Sequence, residues 1–168
     1  MKDKKDLNAA LVIVDMQRKF IPPECADLSA DCKRRLGRIN EAIDAFRTAD
    51  RPVLFVQYEG PSECVRYPFD DGDEWVEGLH YLPGDAVVRK SGMNSFRGPA
   101  LADAVRGAGC EGVILAGLVA QYCVIATYFG AFDHDLESYL LEGGSASNDP
   151  ALAECVERVC KTFTMEDV

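Results

Sequence analysis

The chain has 168 residues and a formal net charge of −10, a length that suits one domain with a single substantial core. Hydrophobic residues make up 48% and charged residues 27%, the balance of an ordinary soluble globular protein. The acidic charge, with no element on which Lys and Arg cluster, argues against a nucleic-acid or anionic-membrane surface, and no apolar run approaches the ~18 residues that span a bilayer. The charged start, Met1-Lys2-Asp3-Lys4-Lys5-Asp6, leads straight into a strand pattern and has no signal-peptide character. Seven cysteines are scattered without a CxxC pair or zinc-type spacing, which fits reduced thiols and a cytoplasmic location better than a disulfide framework.

Leu7 to Val14 is an apolar run of the kind that forms a strand buried on both faces, and it ends abruptly on Asp15. Beyond Phe20 and the pair Pro22-Pro23, residues 29–49 place Leu36, Ile39, Ala42, Ile43 and Phe46 at gaps of three and four, an amphipathic helix. Arg51-Pro52 closes it, and Val53 to Val56 is the next strand. From about 58 to 85 the period breaks down among Pro61, Pro68, Gly72, Gly78, Pro83 and Gly84. A connection this long is often a functional lid, and its Trp75 and Tyr81 are candidate pocket walls; the plain alternative is a solvated loop with anchoring aromatics. Asp85 to Arg89 is a short strand followed by Lys90 and Phe96, and Gly98-Pro99 opens a helix with Leu101, Ala104 and Val105 on one face.

Val113 to Ala116 is another buried-strand run. A turn at residues 117–120 then leads into a helix expected from about Gln121 towards Asp135, with Cys123 just inside it. There free N–H groups and the helix dipole favour a thiolate. Ser138 to Leu141 is a short strand, Glu142 to Ser147 a loop, and Asn148 or Asp149 caps a last helix with Pro150 at its first position. Phe163-Thr164-Met165 is a candidate edge strand.

This alternation predicts an α/β fold over residues 1–168: a doubly wound, mainly parallel sheet with helices on both faces. Such sheets bind ligands outside the carboxyl ends of their strands, where Asp15, Lys90 and Cys123 all fall. A thiol, an ammonium and a carboxylate gathered there make coherent chemistry. Lys90 stabilises the Cys123 thiolate, Asp15 takes the thiol proton and returns it to a leaving amine, and free N–H groups of the 118–123 turn hold an oxyanion.

The segments LVIVDMQRKF (11–20), VVRKSGMNSF (87–96) and AGLVAQYCVIAT (116–127), in this order and spacing, resemble the isochorismatase-like cysteine hydrolase superfamily. The resemblance implies an Asp15-Lys90-Cys123 triad, a non-proline cis peptide at Leu118–Val119, and oxyanion-hole N–H groups from Val119 and Cys123. It implies a hydrolase that cleaves a small amide or carbamoyl C–N bond through an acyl-enzyme, acting on a small molecule as a homo-oligomer. Phe20, Trp75, Tyr81, Phe96 and Tyr122 are the candidate substrate-binding residues. Nicotinamidases of the superfamily hold a metal with an Asp and two histidines after the second strand; here that stretch is Val56-Gln57-Tyr58-Glu59-Gly60, and the chain's two histidines are His80 and His134. No metal or other cofactor is therefore expected. Ala120-Gln121 stands where Thr-Asp is common, and Ser145 to Asp149 where a His or Ser often begins the last helix. Vinyl-ether hydrolysis of the isochorismatase type, a non-catalytic binding protein of the same fold, and a thiol-based redox protein are the alternatives.

Overall fold

The structure is a computed structural model that describes residues 4–59 and 73–168. Much of the long loop, from 60 to 72, lies outside the described residues. Six strands form one parallel sheet in the order β3-β2-β1-β4-β5-β6. They are β1 (Ala9–Val14), β2 (Val53–Tyr58), β3 (Ala86–Lys90), β4 (Gly112–Leu118), β5 (Glu137–Ala146) and β6 (Thr162–Phe163). The helices between them are α1 (Ala26–Thr48), α2 (Ala100–Gly107), α3 (Ile125–Phe132) and α4 (Pro150–Val159), and a π-helical turn, Ala120–Val124, precedes α3.

All six β1 residues are buried because helices cover both faces. Side chains alternate along a strand, so Leu11 and Ile13 join Phe55, Ile114 and Leu141 beneath Ile39, Ile43 and Phe46 of α1. Val12 and Val14 turn the other way and pack with Val56 and Leu115 against Leu101 and Val105 of α2, Tyr128 of α3 and Val156 of α4. Each such side chain, fully buried, contributes about 1.5–3 kcal/mol.

The chain lays β2 and β3 to one side of β1, then returns to place β4, β5 and β6 on the other. The sheet order therefore reverses beside β1, and the crevice that binds ligands in such folds opens between the carboxyl ends of β1 and β4. Register brings those ends level: Val14 pairs with Val56 and with Gly117, and Tyr58 pairs with Lys90.

Three elements depart from the sequence reading. The first helix begins at Ala26 rather than Ser29, because the Pro23–Cys25 turn feeds directly into it and Leu28 and Cys32 extend its buried stripe. The helix expected from Gln121 opens as a π-helical turn and becomes α-helical only at Ile125. Strand β5 continues through the residues read as a loop: between the Leu115–Leu140 and Gly117–Ser145 pairs, β4 advances two residues while β5 advances five. Gly143, at φ 71°, lets the surplus residues bulge without ending the strand. Asp149 caps α4, accepting from the Ala151 N–H at 2.9 Å.

Gly117 shows how tightly β4 must approach β1. Its φ is 126°, and a Cβ there would lie 2.1 Å from the Val14 carbonyl oxygen. Gly117→Ala is expected to cost roughly 3 kcal/mol or more, read as a lowered midpoint in urea; an unchanged midpoint would show that the β1–β4 spacing is not fixed by this contact.

Candidate active site

Asp15 follows the last β1 residue directly and is fully buried. It takes a left-handed backbone conformation, φ 52°, which asparagine and aspartate tolerate better than most residues. Its N–H still donates to Val56 O at 3.0 Å, so the chain turns away only after a last rung of sheet bonding. Lys90 ends β3, with its side chain 3% exposed. Its Nζ lies 2.7 Å from Asp15 Oδ2 and donates to Met93 O at 2.8 Å. Cys123 sits in the π-helical turn beyond β4, 8% exposed, and its thiol is within hydrogen-bonding reach of both the Asp15 carboxylate and the Lys90 ammonium. Three residues 75 and 33 positions apart in sequence thus meet at the carboxyl ends of β1, β3 and β4.

Burial dominates the electrostatics. It holds the Asp15 carboxyl above the usual carboxylate range even though Lys90 pulls it down. The Cys123 thiol is pushed up to about 12, first by burial, then by the Asp15 charge, with Lys90 opposing. Burial thus favours the neutral thiol at rest and opposes the thiolate that its helix-terminal position and Lys90 favour. Both Asp15 oxygens are buried, and neither receives a well-directed hydrogen bond among the described residues. The carboxylate is held by charge, with lone pairs left open to accept a proton.

The Leu118–Val119 peptide is cis. The Val119 carbonyl turns into the π-helical turn, accepting from Tyr122 N–H at 3.0 Å and Val124 N–H at 3.3 Å. Cys123 lies in this first turn, where backbone N–H groups lack intrahelical acceptors.

The candidate substrate-binding residues divide. Phe20 is buried edge-on against Tyr58, with ring centroids 5.7 Å apart, and Tyr58 stands opposite Lys90 in the sheet register. Phe96 is buried in the same apolar layer as Cys123, and Tyr122, next to the thiol, is 37% exposed. Trp75 and Tyr81 pack edge-on against Phe55, with ring centroids 5.6 and 5.1 Å from its own, in the layer beneath α1 that also holds Phe20, Tyr58 and Val119. They anchor the loop: Trp75 also bridges to Gln17 through its backbone.

Sequence reasoning missed the buried polar residues of the turn after Asp15. Gln17, fully buried, clasps Tyr58 by accepting from its N–H at 2.8 Å and donating to its carbonyl at 3.3 Å. Lys19, also buried, donates to the same carbonyl at 2.7 Å. Nothing in a loop's sequence signals such burial. The two unusual segments noted in the sequence prove to be partners. Gln121 accepts from Ser147 Oγ at 2.9 Å and donates to Asn148 Oδ1 at 2.7 Å, while the Ser147 N–H donates to Asp31 on α1 at 2.9 Å.

A nicotinamidase-type metal set does not fit the described residues. His80 pairs with Asp44 on α1, its Nδ1 3.0 Å from both carboxylate oxygens, and His134 Nε2 is 3.0 Å from Phe96 O. After β2, the Gln57 amide donates to Asp73 O at 2.9 Å, and no group of three His, Cys, Asp or Glu among the described residues could hold a metal ion.

These electrostatics have a measurable sign. Replacing Asp15 by Asn removes a negative charge that opposes ionisation of the thiol, so Asp15→Asn should move the alkylation profile of Cys123 to lower pH, while Lys90→Met should move it higher. Iodoacetamide labelling against pH, read by peptide mass spectrometry, distinguishes these; a profile unmoved by either change would separate the two residues from the sulfur.

An isochorismatase domain model matches residues 9–157. Streptothricin hydrolase from Streptomyces noursei is 29% identical over 118 residues, a stretch that covers 70% of this chain but only 42% of that protein, so the chain spans less than half the length of that relative. Among solved structures, the pyrazinamidase of Pyrococcus horikoshii, determined in complex with zinc, is 26% identical with a TM-score of 0.74, covering 94% of this chain and 99% of that one. The N-carbamoylsarcosine amidase of Thermoplasma acidophilum is 27% identical with a TM-score of 0.72, over 94% and 95% of the two chains. With the family match running from β1 through β5 into α4, the chain belongs to the isochorismatase family.

Proposed function

We propose that the protein is a cysteine hydrolase that cleaves a small amide or carbamoyl C–N bond through an acyl-enzyme on Cys123. The observation that carries this reading is the buried Asp15–Lys90 pair, 2.7 Å apart, against a thiol within reach of both. Two of the similar structures are named as amidases, which fits the same chemistry.

In the first step Asp15 accepts the thiol proton as Cys123 Sγ attacks the carbonyl carbon. Lys90 lies beside both groups and stabilises the sulfur as it gains negative charge. The oxyanion of the tetrahedral intermediate takes N–H bonds from Val119 and Cys123, donors fixed before the reaction begins. Protonated Asp15 then gives its proton to the leaving nitrogen, the C–N bond breaks, and a thioester remains on Cys123. A water molecule, deprotonated by Asp15, attacks the thioester; the carboxylic or carbamic acid leaves, and the proton returns to sulfur. One amide and one water yield one acid and one amine, and the protein is restored.

Ammonia release from a panel of primary amides and ureido compounds tests this directly. Cys123→Ala is expected to lower turnover on the order of 10³-fold or more with little change in thermal stability, and mass spectrometry of the wild-type protein during turnover should show an acyl adduct on Cys123. Turnover that survives the Ala substitution would remove the nucleophile and with it the acyl-enzyme.

A further inference from the structure

The turn after β3 holds an acceptor for Lys90, and that turn is fastened to the helix that follows the nucleophile. Lys90 Nζ donates to Met93 O at 2.8 Å. Two residues on, the Ser95 N–H donates to Thr127 Oγ1 at 3.0 Å, and the two hydroxyl oxygens lie 2.8 Å apart. Thr127 is fully buried and Ser95 is 4% exposed, so water hardly competes for these bonds. Thr127 belongs to α3, one turn beyond Cys123. Further contacts press the same stretch onto that helix. Asn94 packs so closely on Gly130, a turn further along α3, that a Cβ there would collide with its side-chain amide. Asn94 Oδ1 in turn accepts the Phe96 N–H at 2.8 Å. Just past the end of α3, His134 Nε2 is 3.0 Å from Phe96 O. Met93 and Phe96 also share the apolar layer of Cys123, Val124 and Tyr128. Apolar burial holds a turn down without direction, whereas a hydrogen bond fixes both distance and angle. The Ser95–Thr127 pair is therefore what gives the turn a definite place along α3.

We infer that Thr127 is a positioning residue for Lys90: by holding Ser95 it fixes Met93 O, and through Met93 O it fixes the Lys90 ammonium relative to the Cys123 sulfur. This deepens the reading of the triad given above. Cys123 and Thr127 ride on one continuous segment, Ala120–Val124 running into Ile125–Phe132. Lys90 arrives separately, at the end of β3 on the edge of the sheet, with β2 and β1 lying between β3 and β4. Ladder bonding therefore sets the distance between Lys90 and Cys123 only through two intervening strands. The hydroxyl pair bridges it directly, from the turn beyond Lys90 to the helix beyond Cys123. Among the described residues the charges that act on the Cys123 thiol are those of Asp15 and Lys90, so a displaced ammonium is read in the ionisation of the sulfur.

The test follows iodoacetamide labelling of Cys123 against pH in the full chain. Thr127→Val keeps nearly the shape of the side chain and removes its hydroxyl, whereas Thr127→Ser keeps the hydroxyl. In Thr127→Val the labelling midpoint should rise by about 0.5 pH unit or more, in the direction of Lys90→Met, and Thr127→Ser should stay on the wild-type profile. Added to Lys90→Met, Thr127→Val should move the midpoint no further, because no ammonium is left to misplace. A threonine that merely stabilised α3 would lower the thermal midpoint and act alike with and without Lys90. An unmoved profile in folded Thr127→Val, a shift of equal size in both backgrounds, or a Thr127→Ser profile that moves as far as that of Thr127→Val overturns the assignment. Should Thr127→Val not fold, Ser95→Ala takes its place; it deletes one hydroxyl and keeps the N–H bond, so a smaller rise is expected, and no rise, or an equal rise without Lys90, is decisive against the assignment. Failure here is separable from failure of the amidohydrolase reading, because labelling needs no turnover. A protein that shows these shifts but cleaves no amide loses only the hydrolase reading, whereas one that cleaves amides with an unmoved profile loses only the role of Thr127.

Discussion

An ion pair withdrawn from water sets the terms for the rest of this molecule. Asp15 and Lys90 face one another at 2.7 Å with side chains 1% and 3% exposed, and taking such charges out of solvent commonly costs more than their mutual attraction returns. The pair does not hold the fold together; the fold holds the pair. Asp15 sits in a left-handed backbone conformation at the end of a strand whose six residues are all buried. Lys90 is kept in place by a hydrogen bond to Met93 O as well as by the carboxylate. What pays for this arrangement is the apolar sheet beneath it, covered on both faces, whose burial energy dwarfs the cost of two charges at its edge.

The sheet also fixes the geometry. Close packing leaves little room to adjust strand spacing, and the approach of Gly117 to the Val14 carbonyl is one that only a residue without Cβ allows. Because β1 and β4 lie side by side in register, a carboxylate placed one residue beyond Val14 and a turn that begins beyond Leu118 come out at the same level. The turn itself is tied down from outside the sheet. Gln121 reaches Ser147 and Asn148 after β5, and Ser147 is held in turn by buried Asp31 on α1, which also pairs with Arg34 at 2.9 Å. Neutral hydrogen bonds from Gln121 thus secure the segment that carries Cys123, backed by the Asp31 carboxylate on α1.

The alternation of strands and helices in a parallel sheet, the buried faces of the first two helices and the placement of Asp15, Lys90 and Cys123 beyond strand ends were legible in the sequence, because apolar runs that stop abruptly on a polar residue report where a buried strand ends. What remained hidden depends on distances between segments that sequence does not contain. The β5 bulge follows from the register of a neighbouring strand, and two adjacent glycines read equally well as a loop. Trp75 and Tyr81 read as pocket walls because aromatics in a long loop need a surface to cover, and the sheet residue they pack against, Phe55, becomes visible only in the fold. Lys19 gave no sign of burial, since a lysine in a turn is ordinarily solvated. The state of the thiol depends on the fold for a related reason: a helix N-terminus and a neighbouring ammonium favour the thiolate, and the burial that opposes them appears only in the folded chain.

That neutral thiol is compatible with a nucleophilic role once the cluster is considered as one unit. Lys90 brings one positive charge, and Asp15 and Cys123 are two acids that together balance it when they retain a single proton. Moving the proton from sulfur to carboxylate leaves the net charge at zero, so desolvation opposes the transfer far less than it opposes loss of a proton to water, which would leave a net negative charge in a buried site. The two acids titrate as a pair. A thiol that resists ionisation by solvent is therefore still able to pass its proton to a base in contact with it, at the moment when attack on a carbonyl begins to spread the negative charge from sulfur onto oxygen. The same burial that silences the thiol at rest keeps water from competing for that base.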